Sequence, residues 1–215
     1  MIYLYSGHDC PFSHAIRIII SLKCMEVKIV DIMNNNQIIL TLNPDNETPV
    51  LVDDVNKNDK RKDLILTDPI IIAEYLDERF PHPQIMPLQP IDRARFRMCL
   101  LNYSKELFQH VRMLENILHG NGVNKTKNNI NKVKQAITIS LEKIAKSFEP
   151  NRQVRYFAGS TSFTILDAVF LPILWRLKYY EIELKDCDKM VEYLEEQAKE
   201  RYFINSLTPT ERSMR

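Results

Sequence analysis

Ile2-Tyr3-Leu4-Tyr5-Ser6-Gly7-His8-Asp9-Cys10-Pro11-Phe12-Ser13 changes its pattern halfway along, and that change decides the fold. Ile2 to Ser6 is a short run of β-formers stopped by Gly7, which predicts a buried strand. From Ser13 the period lengthens. Ile16, Ile19, Ile20 and Cys24 recur at helical spacing, which sets Arg17 and Ser21 on the other face. Val27 to Ile32 is a second β-rich run. A strand, a helix and a strand in so short a span predict a parallel pair joined by a right-handed crossover.

Working outward, Asn43-Pro44-Asp45-Asn46 reads as a turn, and Val50-Leu51-Val52 and Leu64-Ile65-Leu66 as two further strands. The charged, apolar-poor run Asn56 to Asp63 between them predicts a solvated hairpin loop. Asp68-Pro69 opens a helix with Asp as N-cap and Pro at the first helical position, and Ile71, Ile72, Tyr75 and Leu76 are expected on its buried face. The order β-α-β, then β-β-α, is the thioredoxin arrangement and fills residues 1–80. Pro81, Pro83, Pro87 and Pro90 exclude a regular helix, so 81–90 is expected to be a linker. The rest, 91–215, reads as an all-helical domain. Phe96, Leu100, Tyr103, Leu107, Val111, Leu114 and Leu118 predict one long helix ended at His119-Gly120-Asn121-Gly122. Val133, Ile137, Leu141, Ile144 and Phe148 mark the next. Thr164 and Asp167 form a capping box before a very apolar helix that Pro172 should kink, and Met190, Leu194 and Ala198 mark another. The expected fold class is therefore an α/β thioredoxin-like N-terminal domain followed by an all-α C-terminal domain.

The 215 residues carry a formal net charge of +1, without the basic excess of a general nucleic-acid coat, so non-specific DNA binding is not expected. Direct sequence-specific DNA binding is not expected either. Met1 leads straight into Ile2-Tyr3-Leu4-Tyr5 with no basic segment or cleavage site, and Asp167 and Pro172 break the most apolar run. No membrane association is expected. Cys10, Cys24, Cys99 and Cys187 show neither a disulfide framework nor paired zinc-ligand spacing, which points to a reducing, cytoplasmic setting.

Three places bear chemistry. Cys10-Pro11-Phe12-Ser13 puts a thiol at a helix N-terminus, where a thiolate is stabilised and Ser13 could donate to it. The plainer alternative is that Pro11 and Ser13 open a helix and Cys10 is a passenger. Thr48-Pro49, before a strand, is where thioredoxin-type folds carry a cis-proline that exposes the preceding backbone N–H and C=O to a ligand. Pro81-His82-Pro83 presents an imidazole on stiff backbone, which suits a protein contact or, more plainly, a rigid linker. His8, Cys10 and His14 match no structural zinc pattern, and no metal or cofactor is expected. The lysines and arginine of Lys57 to Asp63 alternate with aspartates, so a solvated loop is favoured over phosphate binding.

The chain resembles the glutathione transferase superfamily and, within it, the stringent starvation protein A family. The resemblance rests on Glu74-Tyr75-Leu76-Asp77-Glu78-Arg79-Phe80-Pro81-His82-Pro83, Met86-Pro87, Leu171-Pro172, Leu174-Trp175-Arg176-Leu177 and the tail Ser206-Leu207-Thr208 with Glu211-Arg212; Ser13-His14 and Leu42-Asn43-Pro44 agree with it. It implies a non-catalytic transferase fold that binds RNA polymerase holoenzyme, including its sigma factor, and regulates transcription during starvation and stress. It implies a homodimer, with a heterodimer of related chains left open. It also makes Pro81, His82 and Pro83 the partner-binding surface, and Thr48, Pro49, Asp68 and Pro69 a vestigial glutathione site. Transferases place Glu-Ser or Asp-Ser where this chain has Asp68-Pro69. Proline supplies neither the N–H nor the hydroxyl, so two hydrogen bonds to a carboxylate are lost, each worth roughly 1.5–3 kcal/mol. Cys10-Pro11 is similar to omega-class transferases and glutaredoxins, which keeps a glutathione-dependent thiol transferase using Cys10 as the alternative.

Overall fold

The computed structural model describes residues 1–32, 37–54, 63–120, 126–147, 156–157, 160–185 and 187–215. The expectations placed on Asn56 to Lys62, on Asn121 and Gly122 and on Phe148 lie outside these residues. Alternation along β1 (Ile2–Gly7) sends Ile2, Leu4 and Ser6 to one face and Tyr3 and Tyr5 to the other. β1 pairs in parallel with β2 (Lys28–Ile32) across α1 (Pro11–Leu22), and antiparallel with β3 (Val50–Asp53); β3 pairs antiparallel with β4 (Leu64–Leu66). The sheet order is β2-β1-β3-β4. α2 (Gln37–Leu42), absent from the sequence reading, covers the Tyr5 face through a small core of Ile32, Ile39 and Val50. Leu4 and Leu51 on the other face join the main core with α1 and with α3 (Pro69–Arg79).

That core runs without a break into the helices. α4 (Pro90–Tyr103) begins inside the expected linker, with Pro90 as its first residue. The predicted long helix is α4, a π-helical turn at Ser104–Phe108, and α5 (Gln109–Leu118). Its apolar stripe survives the insertion, since Phe96, Leu100, Leu107, Val111 and Leu114 are all buried. α6 is Lys127–Ser147. α7 (Ile165–Trp175) is apolar all round and is the central core helix. Pro172 lies inside it and the helix continues to Trp175. The capping box is formed: Asp167 accepts from Thr164 N–H at 2.8 Å and Thr164 hydroxyl at 2.5 Å. Asp167 also accepts from Phe157 N–H and the Tyr193 hydroxyl. Burial outweighs these donors and pushes its pKa up to about 6. α8 (Asp188–Gln197), α9 (Arg201–Ser206) and the single turn α10 (Pro209–Arg212) complete the chain. α1 packs on α7 and α9, which brings residues from both ends of the sequence together.

Two expected faces hold only in part: Ile16, Ile19 and Ile20 on α1 and Ile72 and Leu76 on α3 are buried as expected. Arg17 is not on a solvent face: α1 is buried from Pro11 through Ile20, Arg17 included, while Cys24 is exposed beyond the helix end. On α3 the inward residues are Ile72, Ala73 and Leu76, and Ile71 is 53% exposed.

Candidate functional site

β1 must turn sharply to start α1 beside the loop before β3. A Cβ on Gly7 would lie 2.5 Å from Thr48 Oγ1 and 2.8 Å from Cys10 Cβ, so only glycine allows this approach. Cys10 is the N-cap of α1 in extended conformation, followed by Pro11 at the first helical position. The Cys10 thiol is half-buried and donates to the Thr48 carbonyl at 3.4 Å. Ser13 is fully buried, and its Oγ accepts from Gly7 N–H at 3.0 Å. The thiol is therefore paired with the Thr48 carbonyl and not with Ser13. The Thr48–Pro49 peptide is cis.

A cleft of about 360 Å³ opens between the loops of the sheet and the π-helical turn Ser104–Phe108 with the start of α5. Phe12, Glu47, Asp68, Pro69, Lys105 and Arg112 are among its walls; Cys10 and Thr48 are not. Asp68 caps α3, its Oδ1 accepting from Ile70 N–H at 2.8 Å and Ile71 N–H at 3.1 Å. The amides that would attract a carboxylate ligand are thus taken by the chain's own carboxylate, and Pro69 adds no donor. Arg112 pairs with Glu47 and lies over the Phe12 ring, 4.8 Å from its centroid. As a glutathione pocket, the cleft lacks the N–H and hydroxyl donors that a serine would supply at position 69.

Pro81, His82 and Pro83 stand together on the surface, all three exposed, with His82–Pro83 cis. What lies beneath them was not legible in the sequence. Lys23, one residue past α1, buries its side chain completely and donates to Asp77 Oδ1 at 2.8 Å, to Phe80 O at 2.8 Å and to Pro83 O at 2.5 Å. Asp77 Oδ1 also accepts from Ile85 N–H at 3.0 Å, and Ile85 O accepts from Ile165 N–H at the start of α7. The loop is therefore tied to α1, α3 and α7. A lysine just after a helix normally reads as a solvated helix end, and its partner Asp77 lies 54 residues away, so no local signal marks this anchor.

The tail closes over the opposite side of α1. Glu211, fully buried, accepts from Arg17 through both oxygens at 2.6 Å each, from Arg176, and from Thr208 N–H at 2.9 Å. Arg17 further donates to Ser6 Oγ, Gly7 O and Ser206 O, and Arg176 to Asp9 O and Pro172 O. His14 sits among them. An arginine can only donate, so His14 Nδ1 accepts from Arg176 at 3.2 Å, and Nε2–H donates to Ser206 Oγ at 2.9 Å. Burial first, then Arg176 and Arg17, hold the His14 pKa well below its usual 6.5. His14 is thus a neutral core residue. Elsewhere, Asp9 faces His8 and His119, and His119 also faces Glu115. Among the described residues no group of three or more His, Cys, Asp or Glu is placed to hold a metal ion, and no helix is long and apolar enough to cross a membrane.

Residues 4–84 match the family model of the glutathione S-transferase N-terminal domain. A stringent starvation protein A homolog of Haemophilus influenzae is 32% identical over 182 residues, covering 84% of this chain and 76% of that protein. A homolog of the same name from Coxiella burnetii is 29% identical over 216 residues, covering 99% and 94%. A solved glutathione S-transferase from Rhodospirillum rubrum F11 superposes with a TM-score of 0.74 at 23% identity over 100% of this chain and 96% of that one, which shows the shared fold. With the thioredoxin-like sheet, the helical half and the sequence identity in agreement, the chain belongs to the stringent starvation protein A family, built on the glutathione transferase fold.

Proposed function

We propose that the protein is a transcription regulator that binds RNA polymerase holoenzyme, sigma factor included, through Pro81, His82 and Pro83 during starvation and stress, and that it uses the transferase fold without transferase chemistry. The observation that carries this reading is the exposed, proline-flanked histidine on a buried anchor. Such a loop holds one shape before and after docking, so little ordering entropy is lost when the imidazole is covered. The proline that opens α3 supports the second half of the reading, because a tripeptide carboxylate would find neither an N–H nor a hydroxyl at residue 69. The protein is proposed to act in the cytoplasm as a dimer of identical chains. Ile71 on α3 and Ile91, Met98 and Leu101 on α4 are large, apolar and exposed, and Arg97 links the two helices through Glu74. A second chain would cover them.

One specific observation favours the alternative, a glutathione-dependent thiol transferase: Cys10 is half-buried at the start of a twelve-residue helix. A single experiment separates the two. Pro81, His82 and Pro83 are changed together to alanine, and binding of purified RNA polymerase holoenzyme is measured beside the melting temperature. The regulator reading expects binding to be lost with the melting temperature and dimer intact. Binding at the wild-type level would reduce the loop to a linker.

A further inference from the structure

We propose that Lys23 is the positioning residue of the contact loop: it sits beneath the partner surface without reaching it, and it decides whether Pro81-His82-Pro83 is presented in one binding-competent shape. The inference rests on the reading of that loop as the polymerase contact. Its basis is a shortage of donors within the loop. Prolines have no N–H, so Pro81 and Pro83 contribute carbonyls and nothing to bond them. A loop built this way cannot secure itself with backbone hydrogen bonds and needs donors from outside. Lys23 supplies them. An ammonium has three N–H bonds and no acceptor, and each of the three finds an oxygen: Asp77 Oδ1 at 2.8 Å, Phe80 O at 2.8 Å and Pro83 O at 2.5 Å. One nitrogen thus fixes the last turn of α3, the residue that ends it and the last residue of the loop.

The charge is balanced within the same set. Asp77 is 3% exposed and neutralises the ammonium, while its Oδ1 also accepts from Ile85 N–H at 3.0 Å on the far side of the loop. The entry and the exit of the loop are therefore referred to one buried ion pair. Lysine is the residue type this needs. Its compact tetrahedral head reaches acceptors in three directions, whereas the planar fork of arginine suits one bidentate partner and would serve Asp77 at the expense of the two carbonyls.

The test uses the full chain and purified RNA polymerase holoenzyme, with three readouts: affinity, melting temperature and amide exchange at His82, Gln84 and Ile85. Lys23→Arg keeps the charge and leaves the exposed loop sequence untouched. It should weaken polymerase binding about ten-fold or more and speed exchange at those amides, while exchange in α7 is unchanged. The double variant Lys23→Met with Asp77→Asn removes both charges and keeps an acceptor for Ile85 N–H. It should melt near the wild-type temperature yet fail to regain affinity, an outcome that a purely stabilising role for Lys23 would not give. In the unmutated protein the Ile85 amide should be strongly protected, and a fast-exchanging Ile85 would overturn the anchor before any substitution is made. Wild-type affinity in Lys23→Arg would also overturn the positioning role, and if the triple-alanine variant at the same time fails to bind, the loop remains the contact. Wild-type binding by the triple-alanine variant would instead remove the contact reading and this inference with it.

Discussion

Glu211→Ala is the perturbation to which the fold should be most sensitive. The carboxylate is fully buried and faces two guanidiniums at once, Arg17 through both oxygens at 2.6 Å and Arg176 through Oε1. Deleting it leaves both cations in the core without a counter-charge. Removing one partner of a buried ion pair costs about 3–5 kcal/mol. Glu211 also accepts from Thr208 N–H as half of the capping box of α10, and losing that contact adds about 1 kcal/mol. For a chain of this length each kcal/mol lowers the melting temperature by about 2–4 °C, so the variant should melt roughly 8–24 °C below wild type. The matched control is Glu195→Ala, whose carboxylate pairs with Arg215 half-exposed at the surface. It should shift melting by no more than about 2–4 °C. Thermal unfolding followed by circular dichroism reads both. A Glu211→Ala protein that melts with the Glu195→Ala control would refute the reasoning, because the two arginines would then have needed no buried anion.

Three further outcomes follow from the site. Calorimetry with millimolar glutathione should show no saturable heat, since Pro69 lacks the N–H and hydroxyl that a serine would offer the carboxylate, and Pro69→Ser should improve binding if it changes it at all; tight binding by the unmodified protein would revive the enzyme. Cys10→Ser should leave polymerase association unchanged, with loss of association showing that the thiol is needed. His14 gives a pH signature. Its folded pKa lies below 6.5, so the unfolded chain binds a proton that the folded one refuses, and its contribution to stability is present above pH 6.5 and lost as pH falls. Asp167, raised from 3.8 to about 6, has the opposite sign: its contribution is present below 3.8 and lost as pH rises through about 6. Comparing wild type with His14→Gln between pH 7.5 and 5.5 cancels the Asp167 contribution. The variant should show an acid slope shallower by up to about 1.4 kcal/mol per pH unit, and equal slopes would mean that His14 takes its proton while folded.

The sheet and the main helices were legible because their signals are local. The β-formers of Ile2 to Ser6, the stripe from Phe96 to Leu118 and the Thr164–Asp167 box each declare themselves within a few residues. α2 has no local signal because Gln37-Ile38-Ile39-Leu40-Thr41-Leu42 carries five consecutive β-branched or leucine residues but buries only Ile39, so no helical period shows. The π turn at Ser104–Phe108 left no trace in the stripe on either side of it. The charged core residues failed for a different reason. A helical arginine is solvent-exposed unless a counter-charge meets it, and Arg17 meets Glu211 from 194 residues away. Lys23 meets Asp77 from 54 residues away. The loop Pro81-His82-Pro83 was visible in the sequence; the ion pair beneath it depends on tertiary structure alone.

The tail clasp also sets a timetable for synthesis. α1 precedes the other helices in the chain, and it carries Arg17 into a place where Glu211 neutralises it. Ser206, which accepts from both Arg17 and His14, is translated almost as late. A nascent chain that has emerged just past α7, through Arg176, therefore holds its two inner arginines and an incomplete seat for them. The thioredoxin-like half can form its strand pairs at that stage, but it cannot bury Arg17 at low cost until translation has passed residue 211. Domains usually fold as they emerge, from the N-terminus onward. Here the turn at Pro209–Arg212 supplies the anion that α1 requires, so burial of Arg17 waits for residues far along the chain.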